Sequence, residues 1–372
     1  MEMQSTPPSF VERFFKVREK GSTVRTELLA GMTTFIAMAY ILFVNPNILA
    51  DAGIPKEAAI ASTIWIAALA SLAMGIFANY PVALAPGMGL NAFFAYYVCG
   101  VLGLHWTVAL GAVFFSGVLF LILTVSGIRQ SIINAVPRDL KYAISVGIGL
   151  FIAFIGLKGT GLIVENSATY VSLGHVTAPT TLLSLFGLLL TAALMARNVH
   201  GSILIGIFVT TILAMILGMT PAPKGITDIV STSLPHMGET FGQLDLAGAW
   251  HYGLVSIIFT FTVVELFDNM GTLIGLTTKA KMVKPDGHIE NIDKALTTDA
   301  VGTMVSAVFG TSTVTSYIES AAGIAAGGRT GLTALAAGVL FLAALLFTPL
   351  IGLVPAFATA PALILVGALL MS

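Results

Sequence analysis

The chain has 372 residues, 56% of them hydrophobic and only 9% charged, with a formal net charge of -1. A soluble domain carries about 25% charged residues, so this composition excludes one, and runs such as TLLSLFGLLLTAALMA and TALAAGVLFLAALLFTPLIGLV need a bilayer around them. The lone cysteine, Cys99, excludes an intramolecular disulfide and a Cys-rich metal site, and the absence of strand-period alternation excludes an outer-membrane barrel.

Residues 1–25 come first. Their stretch SFVERFFKVREKGSTVRTE is basic and amphipathic, which suits either a cytoplasmic helix lying on the membrane surface or a solvated leader. No cleavable signal pattern precedes the first apolar run. Twelve spans are then predicted, at 26–49, 59–79, 83–102, 107–127, 142–162, 180–196, 201–218, 252–277, 297–309, 312–326, 331–350 and 354–371. With the N-terminus in the cytoplasm of a cell whose inner membrane holds the protein, only Lys56, Lys158 and Lys224 of the 17 lysines and arginines fall outside, as the positive-inside rule asks. The longest outside loop, about 219–250, contains Pro221, Pro223 and Pro235 and divides the chain into two unequal parts.

Two spans are irregular. The third, VALAPGMGLNAFFAYYV, is interrupted at Pro86, Gly87 and Gly89; the tenth, GTSTVTSYIES, is rich in β-branched and hydroxyl residues before a Gly/Ala helix. Each reads as a short extended piece followed by a half-helix. Non-helical backbone at that depth survives only when buried in protein or facing a cavity, and paired interrupted spans point to a transporter's binding site. If the halves are inverted repeats, span 3 answers to span 10 and span 1 to span 8. That is seven spans per half, an all-α polytopic 7+7 fold, of which the last two spans are expected to be missing from this sequence.

Four acidic residues fall within or at the edge of spans: Glu265, Asp268, Asp299 and Glu319. A charge at the bilayer centre costs about 2.5–3.5 kcal/mol or more, so each needs a reason. Glu319 lies where the extended piece of span 10 meets its half-helix, and either caps that helix or holds a ligand. Glu265 and Asp268 stand at i and i+3 on one helical face; two carboxylates that close in low dielectric cannot both ionise cheaply, which suits proton coupling, the alternative being hydrogen bonds to neighbouring hydroxyls. Asp299 reads equally as a helix cap or a gating contact. Asn91 follows PGMGL and either caps its half-helix or offers an amide to a ligand. Among Phe93, Phe94, Tyr96 and Tyr97, and at Tyr317, packing competes with stacking on a flat ligand. No histidine falls mid-membrane, no metal-ligand spacing exists, and GMGL lacks the Lys-Ser/Thr of a phosphate loop.

The stretches GSTVRTELLAGMTTFIAMAYILFVNPNIL, APGMGLNAFFAYYV, ELFDNMGTLIG, KALTTDAVGT and SYIESAAGIAAGGRTGLTAL resemble the AzgA-like purine permeases, the hypoxanthine/guanine/adenine carriers of the nucleobase–ascorbate transporter group, from about residue 10 to the end. The resemblance implies a core domain (26–128 and 251–350), a gate domain (129–250, continued by 351–372) and a homodimer through the gate. It implies a purine base held between broken spans 3 and 10 with an acidic residue from span 8, at Asn91, Asp268 and Glu319, with Tyr317, Ser320 and Phe94 beside them. Asp268, with Glu265, is the candidate for proton coupling, although the family often has Asp where this chain has Glu265. No cofactor is expected beyond the coupling proton, and no partner beyond substrate, lipid and a second copy; nucleic acid is excluded. An anion carrier of the same architecture is disfavoured because a fixed Glu319 would repel an anion. An intramembrane aspartyl protease would need Gly-x-Gly-Asp where the chain has GMGLN, and a channel would show unsaturable flux.

Overall fold

The computed structural model describes residues 9–128, 137–233, 235–251, 255–284 and 289–371. The first eight residues of the predicted leader, Arg129, and the first three residues of predicted span 8 lie outside these.

The leader forms α1 (Phe10–Phe15), started by a capping box in which Ser9 Oγ accepts from the Glu12 amide and Glu12 Oε2 accepts from the Ser9 amide. It exposes Phe10 and Phe14 and buries Phe15. Span 1 is α2 (Val24–Met38) and α3 (Ile41–Asp51), broken at Ala39 and Tyr40. Pro46 lies inside α3, where it cannot donate to the Leu42 carbonyl one turn back, and the helix tightens at its start. There the Leu42 and Phe43 amides reach only three residues back, to Ala39 and Tyr40.

Span 2 is α4 (Lys56–Ala73), extended by a π-helical turn to Ala78. Span 3 is β1 (Leu84–Pro86) followed by α5 (Met88–Ala92), which continues in π-helical register to Val101. Next come α6 (Trp106–Val125), α7 (Arg138–Gly159), strands β2 (Ile163–Asn166) and β3 (Tyr170–Leu173), α8 (Pro179–Ala196), α9 (Ser202–Ile216) and the short α10 (Leu246–His251). The second part has α11 (Val255–Lys279), α12 (Ile292–Phe309), β4 (Val314–Ser316), α13 (Ser320–Ala325), α14 (Gly331–Ala343), α15 (Thr348–Leu353) and α16 (Ala356–Met371).

Among the described residues, seven helical stretches are long and apolar enough to cross a membrane: Val24–Asp51, Lys56–Ala78, Trp106–Val125, Tyr142–Gly159, Pro179–Ala196, Val255–Lys279 and Gly331–Leu353. The all-α expectation needs one correction. Besides the extended pieces of the broken spans, an antiparallel hairpin pairs Ile163 with Leu173 and Asn166 with Tyr170. Its turn is set by Asn166, whose side chain accepts from the Ala168 and Thr169 amides, an Asx turn that folds IVENSATYVSL back on itself.

The helices divide by contact. α7, α8, α9 and α16 pack on one another, while α2, α3, α4, α6, α11, α12 and α14 form a second group. α7 and α16 cross at Gly149 and Gly367, where a Cβ on Gly149 would lie 2.6 Å from the Gly367 carbonyl oxygen, so both positions need glycine. The groups meet where α5 touches α7 and where α3 touches α16.

Candidate functional site

The site is built on the two broken spans. β1 and β4 pair antiparallel inside the second helix group, with Leu84 opposite Ser316, Ala85 opposite Thr315 and Pro86 opposite Val314. Extended backbone buried this deep must find partners, and each strand supplies the other's. The Gly87 amide adds a bond to the Thr313 carbonyl (2.9 Å), and any side chain at 87 would run into the Thr315 methyl. Pro86, which has no N–H to lose, ends β1 and starts the half-helix. Two further bonds stitch the crossing. Tyr317 Oη donates to the Pro86 carbonyl (2.6 Å), and Ser320 Oγ accepts from the Ala83 amide (3.0 Å). The hydroxyls of these two predicted ligand residues are therefore engaged in holding the crossing together.

Glu319 occupies the N-cap position of α13, but its side chain makes no capping bond, so the cap reading of Glu319 fails. Its Oε1 instead accepts from Tyr40 Oη at 2.5 Å. Tyr40 is fully buried at the break between α2 and α3, whereas Glu319 is half-buried. Asp268 on α11 is also half-buried, its carboxylate makes no hydrogen bond among the described residues, and it lies within reach of the charge of Glu319 and close enough for its own to reach Tyr317. No cation lies within ion-pair distance of Glu265, Asp268, Asp299 or Glu319 among the described residues.

Asn91 is inside α5, with Gly87 at the N-cap, so the cap reading fails here too. It is fully buried; its Nδ2 donates to Asn45 Oδ1, and its own Oδ1 has no partner in the protein among the described residues. Asn45 in turn donates to Thr63 Oγ1 (2.8 Å) and Thr311 Oγ1 (3.3 Å), which ties α3, α4 and the approach to β4 into one network. Phe94 is fully buried in the larger apolar cluster, unlike the half-buried carboxylates. Its neighbour Phe93 packs edge-on against Phe261 and stacks on Tyr97.

Glu265 and Asp268 share a helix but not a setting. Glu265 is fully buried, accepts from Thr303 Oγ1, and keeps Oε2 unpartnered. Thr303 Oγ1 also accepts from the Val314 amide at 3.1 Å, so Glu265 braces β4 through a hydroxyl. Asp299 is neither a cap nor at a helix end. α12 begins at Ile292, five residues before the predicted span, which leaves Asp299 fully buried within it, with Oδ2 accepting from Ser316 Oγ (3.0 Å) and Oδ1 unpartnered. Asn269 Oδ1 takes the Ser316 amide (2.8 Å). The rear of β4 is thus lined by Glu265, Asn269, Asp299 and Thr303.

The Xan_ur_permease model, described as Permease family, matches residues 25–372. The chain belongs to this permease family. Among relatives of the permease, Adenine permease AdeP of Escherichia coli (strain K12) is 46% identical over 369 residues, covering 99% of this chain and 82% of that one. Guanine/hypoxanthine permease PbuO of Bacillus subtilis (strain 168) is 43% identical over 370 residues, covering 96% of this chain and 83% of that one. The permease also shares its fold with the transmembrane domain of the cyanobacterial bicarbonate transporter BicA, with a TM-score of 0.70 at 15% identity over 94% of this chain and 89% of that one.

Membership in a permease family answers the enzyme question: the permease is not an enzyme. Sequence reasoning missed Tyr40, Asn45 and Asn269, all neutral polar groups. The only signal was position: Asn45 stands before Pro46 in the middle of span 1, and Asn269 follows Asp268.

Proposed function

We propose that this permease imports purine nucleobases by proton symport, with Glu319 as the acceptor for the base's ring N–H groups. The observation that carries the reading is the setting of Glu319: half-buried beside the strand crossing, with no cation in ion-pair distance among the described residues and Tyr40 as its side-chain partner. A purine such as guanine presents N–H donors along one edge, and a carboxylate accepts from two at once through charge-assisted bonds. Asn91, with its unpartnered Oδ1, takes a remaining donor. Asp268, whose carboxylate has no hydrogen-bond partner among the described residues, carries the coupling proton or shares the ligand. Glu265, already bonded to Thr303, is the lesser candidate for the proton. AdeP and PbuO, named for adenine and for guanine and hypoxanthine, support a purine substrate and leave the preferred base open between them.

In the proposed cycle the group α2–α6 with α11–α14 is the core, which moves against a gate of α7–α9 and α16, carrying the base from outside to cytoplasm. The division of helix contacts supports that split. The N-terminus is cytoplasmic, the membrane is the cell's inner one, and two copies associate through the gate.

The test is uptake of labelled adenine, guanine, hypoxanthine and uracil by cells lacking their own carriers, across external pH 5 to 8. Saturable purine uptake that rises as the external pH falls is the expected result. No purine uptake by well-expressed protein sinks the reading, and saturable bicarbonate or sulfate uptake in its place would establish the anion carrier. In the same assay Tyr40→Phe removes one hydrogen bond to a charged group, worth about 1.5–3 kcal/mol, and is expected to lower uptake efficiency roughly tenfold or more at matched protein levels.

A further inference from the structure

The cytoplasmic end of the first span holds a further buried carboxylate, away from the strand crossing. Glu27, in the first turn of α2, is fully buried. Its Oε1 accepts from the Arg329 amide (2.9 Å), and its Oε2 accepts from the Thr330 amide (3.2 Å) and from Thr333 Oγ1 (2.5 Å). These amides belong to the start of α14, whose N-cap is Thr330. The next two are also taken, Gly331 N–H by Asn79 Oδ1 (2.6 Å) and Leu332 N–H by Thr330 Oγ1 (3.3 Å). The four amides from Arg329 to Leu332 that lead into the helix, whose first donors have no partner within it, are thus all satisfied, two of them by a carboxylate from another span.

Arg329 does not pair with that carboxylate. Its Nη1 donates backwards to the carbonyls of Ile324 (2.6 Å) and Gly328 (2.7 Å), at the end of α13. Each charge therefore sits at the helix end whose dipole favours it. The fit against α2 is close: a Cβ on Gly323 would overlap Thr34 Oγ1 and lie 2.6 Å from the Ala30 carbonyl oxygen.

α13 has six residues, about 9 Å of helix, and so short a helix has no stability of its own. Its geometry is set by what holds its ends. At one end is Tyr40 on Glu319; at the other is the Glu27–Arg329–Asn79 assembly. We propose that Glu27 is a positioning residue for the substrate site: it fixes α13 to the first span, and with it the Glu319 carboxylate. This rests on the reading of Glu319 as the substrate's acceptor.

The test measures KM and Vmax of purine uptake for the wild type, Glu27→Gln, Glu27→Asp, Tyr40→Phe and the double variant Glu27→Gln/Tyr40→Phe, at matched membrane levels. Glu27→Gln is expected to raise KM about tenfold, the loss that follows one weakened charge-assisted bond, with Vmax within about twofold. Glu27→Asp, which keeps the charge, should recover part of that loss. Because both anchors act on one short helix, the double variant should raise KM by less than the product of the single effects. An unchanged KM in Glu27→Gln, or single effects that simply multiply, overturns the inference. If Glu27→Gln does not accumulate, Asn79→Ala replaces it, with the same KM rise expected and an unchanged KM equally fatal. A wild type that takes up no purine at all condemns the substrate reading instead.

Discussion

Glu319→Gln is expected to lower the efficiency of purine uptake at least a hundredfold while the protein folds and inserts normally. Glutamine keeps an oxygen for Tyr40 Oη, so the contact seen at 2.5 Å has a replacement and the half-helix keeps its anchor. What is lost is charge and one acceptor. A hydrogen bond to a charged group contributes about 1.5–3 kcal/mol, and a buried donor left facing another donor costs about 1–3 kcal/mol more. Together these are worth about two to four decades at 1.4 kcal/mol per decade. Glu319→Asp keeps the charge but draws it back by one methylene, and should fall between wild type and Glu319→Gln. Labelled-purine uptake at matched membrane levels checks both. Near-wild-type uptake by Glu319→Gln would mean that the base is held elsewhere.

Asn45→Ala is expected to damage stability as well as transport. Asn45 is fully buried and joins Asn91, Thr63 and Thr311. Truncation leaves Asn91 Nδ2 without an acceptor and removes a donor from each of two threonine hydroxyls. Thr63 Oγ1 keeps its bond to the Ala59 carbonyl (2.6 Å) and suffers least. At about 1–3 kcal/mol for each stranded group, the loss is roughly 3–5 kcal/mol, which should lower Tm by roughly 5–10 °C. Thermal unfolding of the purified protein in detergent is the measurement. A Tm unchanged within a degree would show that the network contributes nothing to the fold.

Much of the architecture is legible in the sequence because the bilayer imposes a coarse rule that long apolar runs obey. The interrupted spans show in the same way: Pro86 and Gly87 on one side and the hydroxyl-rich GTSTVTS on the other cannot continue a helix. The boundaries of α12 are less legible. The helix begins at Ile292, five residues before the predicted span, and Asp299 looks like an end residue until Ser316, whose hydroxyl it accepts, is placed opposite it. Glu319 stands out as a lone charge among small apolar residues. Tyr40 does not, since a tyrosine in an apolar span reads as packing until the carboxylate opposite it, far along the chain, is placed. Asn45 and Asn269 carry no charge to flag them. The hairpin of β2 and β3 was invisible for another reason: a four-residue strand pair is set by one Asx turn, not by a hydrophobic pattern.

The pairing of β1 with β4 also bears on how the chain is made. The backbone donors and acceptors of Leu84–Pro86 have their partners in Val314–Ser316. When the ribosome has delivered span 3, those partners do not yet exist, and the 212 residues between Val101 and Val314 are still to be synthesised. Span 3 must therefore enter the membrane in a provisional form, as an unbroken helix or sheltered by the insertion machinery, and be rebuilt once span 10 arrives. Biogenesis of this carrier should then have its slow step late, at the joining of the two broken spans, and a chain stopped before Val314 should be degraded instead of accumulating as a stable half.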